Sequence, residues 1–401
     1  MRIVYDLILA LWVVLISPNA FRSKYRKIIL YKLGLKKPEI VPKKKAKFRI
    51  WIHAVSLGET KATKTLIDEI KNDYKNAEII ISTTTQTGQN EAKKLSEHTF
   101  FLPIDFSWLM KGLVKRIDPD LFILVETDFW YNLLSELKKN QTKIILVNGK
   151  ISSNSYNNFK KFKSFATPLF SKIDLFCLQS DVDKARFQEL GVPERKLSVT
   201  GNMKFDSKNM LQNTHSLRFP LQKKLVTIAL THESEEELIL SEIAHLNSFS
   251  FLLAPRHPER FLKIAKLLKK KNIPFRTITE EGAGEEKVIL INKMGVMDEC
   301  YSHSFAVIMG GSFISHVGGH NIYEAARHGI PVLYGPYMHK QESIVNSLKK
   351  HNIGTQIPLS LLSNTLENLL KAPTRKLSTE ILKTKVEGAS KRSWNLIKQH
   401  L

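Results

Sequence analysis

The sequence predicts an α/β protein with two Rossmann-like domains, each built on a doubly wound parallel sheet that faces a shared cleft. Three observations lead to this prediction. The chain has 401 residues, which exceeds one ordinary core and fits two domains of about 150–200 residues. Apolar runs of strand length alternate with helical segments, as in sheets whose parallel strands are joined by helices. The alternation stops at the polar stretch 210–221, a predicted linker, and then starts again.

The predicted strands divide evenly between the two domains, which we place at 48–209 and 222–401. The first domain contains Phe48–Val55, Glu78–Ser82, Leu121–Val125, Lys143–Val147 and Leu175–Leu178. The second domain contains Leu225–Leu230, Phe249–Leu253, Val288–Ile291, Phe305–Met309 and Val332–Tyr334, and ends in a C-terminal helix. Ligands of such domains bind at the carboxyl ends of the strands, so polar residues directly after a strand are the candidates for function.

Composition is that of a globular protein without disulfides. Hydrophobic residues make up 43% of the chain and charged residues 25%, which excludes a disordered protein. The two cysteines, Cys177 and Cys300, lie far apart and have neither zinc-site nor disulfide spacing. We therefore expect a reducing compartment and two buried thiols.

Positive charge is concentrated at the N-terminus. The formal net charge is +23, and residues 1–47 carry twelve Lys or Arg against Asp6 and Glu39. Basic clusters bind either nucleic acid or anionic lipid. Because the apolar segment Ile3–Ile16 precedes this cluster, we predict an anionic membrane surface as a partner and no nucleic acid.

The apolar segment Ile3–Ile16 predicts a membrane anchor. As a helix it would extend about 21 Å, less than the roughly 30 Å hydrocarbon core of a bilayer. We predict an uncleaved anchor and basic linker over 1–47, lying in the interface or barely spanning it, with both domains on the cytoplasmic side. A secretory signal is disfavoured because Ser17–Phe21 is a poor cleavage site, and a buried core helix is the remaining alternative.

The glycine-rich stretch Gly310–Pro336 indicates a nucleotide-type ligand. It follows a predicted strand, turns through paired glycines and enters a predicted helix that carries Asn321 and Glu324. Unpaired amides and a helix N-terminus in such a turn attract phosphate, and Glu324 is placed to hold ribose hydroxyls. The alternative is an ordinary turn in which glycine allows a tight reversal.

Carboxylates follow two strands of the first domain. Glu59 comes after the first strand, and Glu126 and Asp128 come after the third. Because carboxyl ends of parallel strands meet at one edge, these side chains suit acid–base catalysis. The alternative is that Glu59 and Asp128 only cap the helices that follow.

Other polar turns admit two interpretations each. Thr83–Gly88 either binds a polar ligand or caps a turn, and Lys150 adds a cation at the same edge. Arg256 follows a strand of the second domain and either pairs with a phosphate or lies on the surface. The segment Thr231–Glu235 has the pattern of a capping box.

We predict neither a metal nor a cofactor. The sequence Asp181-Val182-Asp183 has the D-x-D pattern of metal-dependent glycosyltransferases, but it opens a helix that it is more suited to cap. His316 and His320 flank a loop, not a helix face, so their spacing does not indicate zinc.

The ordered set of motifs resembles the 3-deoxy-D-manno-octulosonic acid (Kdo) transferases of lipopolysaccharide biosynthesis over nearly the whole chain. The segments are YDLILAL, WIHAVSLGET, TTTQTG, ETDFWYNLL, NGKIS, QSDVDKARFQELGV, GNMKFD, THESEEE, LAPRHPERF, NKMGVMDE and GGSFISHVGGHNIYEAARHGIPVLYGP. The resemblance implies a GT-B glycosyltransferase that is metal-independent and inverting. Its N-terminal domain would receive the lipid A precursor (lipid IVA) and its C-terminal domain would bind CMP-Kdo, at the inner membrane of a Gram-negative bacterium.

The resemblance also implies roles for individual residues. Glu59 is expected to be the general base and Glu126 a second active-site carboxylate, while Lys204 is expected to contact the donor or a phosphate. The expected contacts to CMP are Arg256, His257, Met294, Gly295, Gly311, Ser312, Asn321 and Glu324. The chain departs from the family pattern at Tyr131 and Lys150, where Pro and Arg are usual, which bears on acceptor contacts. A GT-B transferase that uses a UDP-sugar and a non-catalytic membrane-surface protein are the alternative functions.

Overall fold

The computed structural model describes residues 2–20, 30–35, 38, 48–206, 219, 223–280, 286–371 and 386–401. They belong to two compact units, Met1–Ser207 together with Glu387–Leu401, and Lys208–Val386. Most of the predicted basic linker, and all of the predicted interdomain linker 210–221 except residue 219, lie outside the described residues.

Each unit contains one seven-stranded parallel sheet. The strands of the first are β1 (Arg49–His53), β2 (Glu78–Thr83), β3 (His98–Phe101), β4 (Leu121–Val125), β5 (Lys143–Gly149), β6 (Leu175–Leu178) and β7 (Leu197–Val199). Those of the second are β8 (Lys224–Thr231), β9 (Phe249–Pro255), β10 (Phe275–Thr277), β11 (Val288–Leu290), β12 (Ala306–Met309), β13 (Val332–Tyr334) and β14 (Thr355–Gln356).

Helices connect these strands. In the first unit they are α1 (Arg2–Ala20), α2 (Leu57–Asp73), α3 (Gln86–Leu95), α4 (Ser107–Ile117), α5 (Tyr131–Lys139), α6 (Ser153–Lys161), α7 (Lys163–Phe170) and α8 (Asp181–Glu189). In the second unit they are α9 (Glu235–Ile243), α10 (Phe261–Lys270), α11 (Met297–Ser302), α12 (Tyr323–Ala326), α13 (Glu342–Lys349) and α14 (Leu362–Lys371). The last helix, α15 (Ala389–Lys398), returns to the first unit.

The predicted fold class of two α/β units with parallel sheets is confirmed. All ten predicted strands occur, and the four strands that the sequence did not reveal are β3, β7, β10 and β14. These four are the edges of the two sheets, whose orders are β3-β2-β1-β4-β5-β6-β7 and β10-β11-β9-β8-β12-β13-β14. Edge strands here are short and partly exposed, so they lack the continuous apolar run of a strand buried on both faces.

Both sheets reverse their strand order next to their first strand. In the first sheet the chain winds outward from β1 to β3 and then crosses back to β4, which pairs with β1. In the second sheet β8 is flanked in the same way by β9 and β12. Such switch points open a crevice at the carboxyl ends of the strands, which is where doubly wound sheets bind ligands.

The C-terminal helix corrects the predicted domain boundary, because the sequence analysis placed it in the second domain. Asp206 accepts hydrogen bonds from the amides of Gly388 (2.6 Å), Ala389 (3.2 Å) and Ser390 (2.5 Å) at the start of α15. Trp394 is buried in the core of the first unit, and its Nε1 donates to Asp73 Oδ2 at 2.9 Å. An amphipathic helix carries no local signal of which core it covers, so only packing decided this.

The N-terminal helix α1 is held to the first unit by its polar side chains. Arg2 forms an ion pair with Glu136 at 2.8 Å, and Asp6 Oδ1 accepts from Asn132 Nδ2 at 2.8 Å. The Tyr5 ring packs against aromatic rings of that unit. The side chains that remain more than half exposed are Ile3, Val4, Leu7, Ile8 and Leu11. Among the described residues, no helix is long and apolar enough to cross a membrane.

Candidate active site

Glu59 stands at the switch point of the first sheet, at the start of α2. Ser56 is the N-cap of this helix, and the Ser-x-x-Glu spacing forms a capping box. Glu59 Oε1 accepts from Ser56 Oγ and Oε2 accepts from the Val55 amide, both at 2.8 Å. The capping alternative is therefore correct as a description of geometry. Capping also fixes the carboxylate, whose oxygens each keep a second acceptor position.

The surroundings of Glu59 favour its protonated form. Burial raises the pKa of Glu59, and the charges of Glu126 and Asp128 raise it further. The hydrogen bonds from Val55 and Ser56 lower the pKa and oppose only part of this rise. A carboxylate with a raised pKa is a stronger proton acceptor than an ordinary one.

Glu126 follows β4 and is ion-paired with two lysines. Its side chain is buried, with Oε1 at 2.6 Å from Lys204 Nζ and Oε2 at 2.7 Å from Lys150 Nζ. Asn148 Nδ2 donates to Oε1 at 3.3 Å. Burial raises the pKa of Glu126, but Lys204 and Lys150 outweigh it and the pKa is lowered. The Glu126 carboxyl is therefore ionised, whereas the protonation equilibrium of Glu59 is shifted toward its neutral form.

Two interacting carboxylates with opposite pKa shifts make this edge of the sheet a candidate acid–base site. Glu59 is suited to accept a proton, and Glu126 holds two ammonium groups at the same edge of the sheet. The sequence analysis proposed Glu59, Glu126 and Lys204 as site residues, but it did not reveal that Lys204 pairs with Glu126. Lys150 was noted only as a nearby cation, and its position directly after β5 was the available signal.

The threonine-rich turn after β2 supports the Glu59 turn. The hydroxyls of Thr84 and Thr85 donate to the Val55 carbonyl at 3.3 and 3.1 Å. Thr85 also caps α3 by accepting from the Gly88 amide at 3.2 Å. A Cβ on Gly88 would lie 3.2 Å from the Ser56 carbonyl carbon, so this glycine permits close approach of α3. Of the two interpretations of Thr83–Gly88, the described contacts are those of the capped turn.

Two other aspartate motifs were expected to cap helices, and only the D-x-D motif does so. Asp128 does not cap α5, whose N-cap is Trp130 without a side-chain hydrogen bond. Burial raises the pKa of Asp128, and the negative charge of Glu126 raises it further. Asp128 therefore contributes to the electrostatics of the carboxylate site. Asp183 of the D-x-D motif does belong to a cap, because the Ser180 hydroxyl donates to it and its other oxygen accepts from the Ile151 amide.

The glycine-rich turn of the second unit, Gly310–Phe313, already binds a carboxylate of the protein, that of Glu235. Glu235 accepts from the amides of Gly311 (2.6 Å), Ser312 (3.1 Å) and Phe313 (3.0 Å). Burial raises the pKa of Glu235, and the amides of Gly311 and Phe313 oppose that rise. The prediction that these amides are unpaired and open to a phosphate is therefore wrong. The pattern Thr231–Glu235, interpreted as a capping box, supplies this carboxylate instead.

The Ser312 hydroxyl is also used within the fold. It donates to the Met309 carbonyl at 2.5 Å and accepts from the Gly335 amide at 2.7 Å, which ties β12 to the turn after β13. A Cβ on Gly310 would lie 2.7 Å from the Ala229 carbonyl oxygen, so this glycine allows the ends of β8 and β12 to meet. The turn thus shapes the floor of the switch-point crevice.

The remaining predicted donor contacts are Asn321, Glu324, Met294 and Gly295. Asn321 accepts from the Tyr323 amide at 3.0 Å and donates to Glu324 Oε1 at 3.4 Å, so it orients that carboxylate. The helix there, α12, has four residues and carries Glu324, but Asn321 precedes it, so the prediction that both residues lie on the helix is wrong for Asn321. Gly295 has a φ of +82°, and Met294 before it is exposed.

Arg256 and His257 follow β9 and lie near two histidines that the sequence analysis did not select. His232 Nε2 is 2.9 Å from His320 Nε2, and the two ring planes lie within 14° of each other with centroids 5.1 Å apart. The His257 ring meets that of His232 edge-on at 5.4 Å. The signal for His232 was its position directly after a strand, whereas His320 lies in a loop. Within the described residues, no group of three or more His, Cys, Asp or Glu can hold a metal ion.

Comparison with known proteins identifies the family. Residues 29–207 match the family model described as 3-Deoxy-D-manno-octulosonic-acid transferase (kdotransferase), and residues 308–387 match the one for UDP-glucoronosyl and UDP-glucosyl transferase. The chain is 33% identical over 302 residues to the 3-deoxy-D-manno-octulosonic acid transferase of Haemophilus influenzae, covering 72% of this chain and 70% of that protein. It is 30% identical over 359 residues to the Rickettsia typhi protein of the same name, covering 86% and 75%.

The fold is shared with a solved glycosyltransferase of Rickettsia africae. The TM-score is 0.62 at 14% sequence identity, over 88% of this chain and 98% of that one. Two α/β units with parallel sheets, together with these relatives, define a glycosyltransferase of GT-B-like fold. The chain belongs to the Kdo transferase family of lipopolysaccharide biosynthesis.

Proposed function

We propose that this protein transfers Kdo from CMP-Kdo to the lipid A precursor lipid IVA, with inversion at the anomeric carbon, at the cytoplasmic face of the inner membrane. The observation that carries the proposal is the pair of carboxylates at the first switch point. Glu59 has a raised pKa, while Glu126 has a lowered one and binds Lys150 and Lys204. Family membership is the basis for naming Kdo as the transferred sugar, and the two carboxylates are the basis for the proposed proton transfer.

Glu59 is the general base of the proposed reaction. Its carboxylate takes the proton of an acceptor hydroxyl, and the oxygen attacks the anomeric carbon of Kdo. The bond from that carbon to the CMP phosphate oxygen breaks, and CMP leaves with the electron pair. Attack opposite the leaving group inverts the anomeric centre. The hydroxyl must come within about 3 Å of Glu59 for this transfer.

Glu126 acts as the second active-site carboxylate by orienting two cations. Its oxygens fix the ammonium groups of Lys150 and Lys204 at 2.7 and 2.6 Å. Each ammonium has further N–H donors for an anionic group of a substrate. We assign Lys204 to the donor or a phosphate and Lys150 to the same anionic region.

The donor is held by the second unit. Arg256 and His257 contact the CMP phosphate, the Met294–Gly295 turn contacts the nucleotide, and Glu324, oriented by Asn321, holds the ribose. Gly311 and Ser312 contribute by shaping the floor of this site, because their amides are engaged by Glu235. A cation such as Arg256 stabilises the charge that develops on the leaving phosphate without a metal.

The membrane surface is met by α1. Its contacts to the first unit leave an apolar face of Ile3, Val4, Leu7, Ile8 and Leu11 exposed. A helix of this kind lies in the interface plane of a bilayer, and basic residues nearby add attraction to anionic lipid. Residues 1–47 carry a strong excess of such basic residues. The acceptor is itself a membrane glycolipid, so this placement brings the protein to it.

The test is a transfer assay on the full chain. Protein, CMP-Kdo generated in situ and lipid IVA are incubated, and the lipid is weighed by mass spectrometry. We expect a mass increase of one or more Kdo units, and no increase would overturn the proposal. Lipid binding without any mass increase would favour the non-catalytic alternative.

A transferase that uses a UDP-sugar is the second candidate, because residues 308–387 match the UDP-glucoronosyl and UDP-glucosyl transferase model. Nucleotide-dependent thermal protection separates the two. CMP should raise the melting temperature and UDP should not. Protection by UDP alone would favour the second candidate.

A further inference from the structure

The pair of imidazoles in the second unit lies at its switch point. His232 directly follows β8 and His320 lies in the segment after β12, and these two strands are neighbours in the sheet. A Cβ built on Gly311 would lie 2.9 Å from His320 Cδ2, so the ring sits directly against the glycine-rich turn. The pair therefore stands in the crevice where a ligand of this sheet is expected.

The geometry of the pair fixes its proton content. At 2.9 Å between the two Nε2 atoms, one imidazole must donate and the other accept. Two Nε2–H groups facing each other at this distance would repel. Among the described residues, neither Nδ1 atom has a hydrogen-bond partner. The pair can thus take up one more proton at an Nδ1 atom without breaking the bond between the rings.

The surroundings keep this extra proton off while no anion is bound. The charged and titratable groups around the pair are Arg256, His257, Arg260, Lys340, Glu235 and Glu236. Burial and then the neighbouring groups lower the pKa of His320 to about 4, and burial also lowers that of His232. Glu236 is paired with Arg260, and Glu235 is engaged by the turn amides, so the local excess is positive. An anion bound here offsets the local positive charge and so favours the extra proton.

We propose that His232 and His320 form a proton-linked anion subsite, which binds the phosphate of a nucleoside monophosphate and takes up a proton from solvent as it does so. The proton enters at the Nδ1 atom of one ring, and that Nδ1–H then donates to the phosphate, while Nε2–H of the same ring still donates to the other ring. No covalent bond changes. The inference rests on the proposed donor site, because it assumes that this crevice binds the nucleotide.

Proton uptake on CMP binding sets the direction in which CMP affinity changes with pH. A group whose pKa is raised by binding contributes affinity at pH values below its pKa in the complex, and that contribution is lost as pH rises through it. The affinity for CMP should therefore fall with rising pH, by up to about tenfold per pH unit. The second pKa of a phosphate monoester is about 6, so at pH 7 the ligand itself is mostly dianionic.

The experiment is calorimetric titration of the full chain with CMP at pH 7.0, in buffers with different ionisation enthalpies. The dependence of the observed enthalpy on buffer gives the number of protons taken up, and we expect between about half a proton and one per CMP. In His320→Asn and His232→Asn this uptake should be largely lost, with weaker but measurable binding. His245→Asn, an exposed histidine elsewhere in the unit, is the matched control and should retain it.

The outcomes separate this inference from the donor assignment. Absence of CMP binding to the wild type would overturn both. Binding without proton uptake, or uptake that persists in both histidine variants, would overturn the inference and leave the donor assignment intact. If the variants fail to fold, as judged by circular dichroism, ring ¹⁵N shifts of the wild type decide. One imidazole should move to imidazolium values when CMP is added, and unchanged shifts would overturn the inference.

Discussion

At the scale of single residues, Glu59 has two tasks in this fold. The same carboxylate that completes the cap of α2 stands at the switch point, where its burial and the charges of Glu126 and Asp128 raise its pKa. Capping positions the group, and the raised pKa supports its proposed role as the base. The two interpretations that the sequence left open are therefore compatible.

The base assignment predicts a pH-dependent loss of rate. Activity needs ionised Glu59, so it should be present above the raised pKa and fall as pH drops through it. Glu59→Gln should lower kcat by about 10²–10⁴-fold while CMP still binds, whereas Asp68→Asn on the exposed face of α2 should leave kcat unchanged. Glu126→Gln should shift the acidic limb to lower pH, because one charge that raises the Glu59 pKa is lost. A pH–rate profile measures this, and near-normal turnover of Glu59→Gln would contradict the assignment.

Glu235 is the second residue with a distinct prediction. It satisfies the Gly311, Ser312 and Phe313 amides, and a glutamine would present an NH₂ group among these donors. Glu235→Gln should lower the free energy of unfolding by about 2 kcal/mol. Chemical denaturation followed by circular dichroism measures the loss. The control is Glu237→Gln on the same helix, where the carboxylate is exposed, and equal stability of the two variants would refute the anchoring role.

At the scale of elements, the approach of α3 to the Glu59 turn depends on Gly88. A Cβ there would lie 3.2 Å from Ser56 C and 3.3 Å from the Val55 carbonyl oxygen, both backbone atoms that position Glu59. Gly88→Ala should therefore reduce activity by about tenfold or more through misplacement of the base. Gly112→Ala, at an exposed position of α4 where a Cβ would meet no atom within 4 Å, should stabilise the protein by about 0.5–1 kcal/mol. Steady-state kinetics and thermal melting measure the two effects, and normal activity of Gly88→Ala would count against this coupling.

Helix α1 predicts membrane binding through one face. Each leucine buried in the bilayer contributes about 1.5–3 kcal/mol, so Leu7→Glu should weaken vesicle binding by at least tenfold. Co-sedimentation with phosphatidylglycerol vesicles measures the affinity. Val182→Glu, an equally exposed apolar position on α8, should have no effect. Similar losses in both variants would argue against α1 as the contact.

At the scale of the whole molecule, the C-terminal helix belongs to the first unit, although it follows the second unit in the sequence. Helix α15 packs on the first unit, with Trp394 buried beside Tyr74 and bonded to Asp73. The carboxylate of Asp206 binds the amides at the start of this helix. The two segments of the first unit are thus far apart in sequence, and hydrogen bonds and side-chain packing join them.

Trp394 should be important for the stability of the first unit. Trp394→Ala removes a buried indole and should cost about 3–5 kcal/mol. Trp108→Ala is the matched control, because that indole is 60% exposed and its loss should cost far less. Thermal melting followed by circular dichroism compares them. If both tryptophans give the same shift, the docking of α15 contributes little.

The sequence predicted what local pattern and chemistry specify. Central strands such as Leu121–Val125 are continuous apolar runs, because a parallel sheet is covered on both faces. Glu59 and Glu126 were candidates because Glu126 directly follows such a strand and Glu59 lies at the start of the helix after another, and parallel strands end at one edge. The family was also readable, since its motifs occur in order along the chain.

Tertiary structure decided which partners the polar groups have. The glycine-rich turn had the sequence of a phosphate cradle, yet Glu235, 76 residues away, binds its amides. Lys204 pairs with Glu126, His320 pairs with His232, and α15 covers the first core, all between residues distant in sequence. Pattern and propensity act over a few residues, whereas hydrogen bonds and ion pairs depend on distances of a few ångströms. Only the folded chain sets those distances.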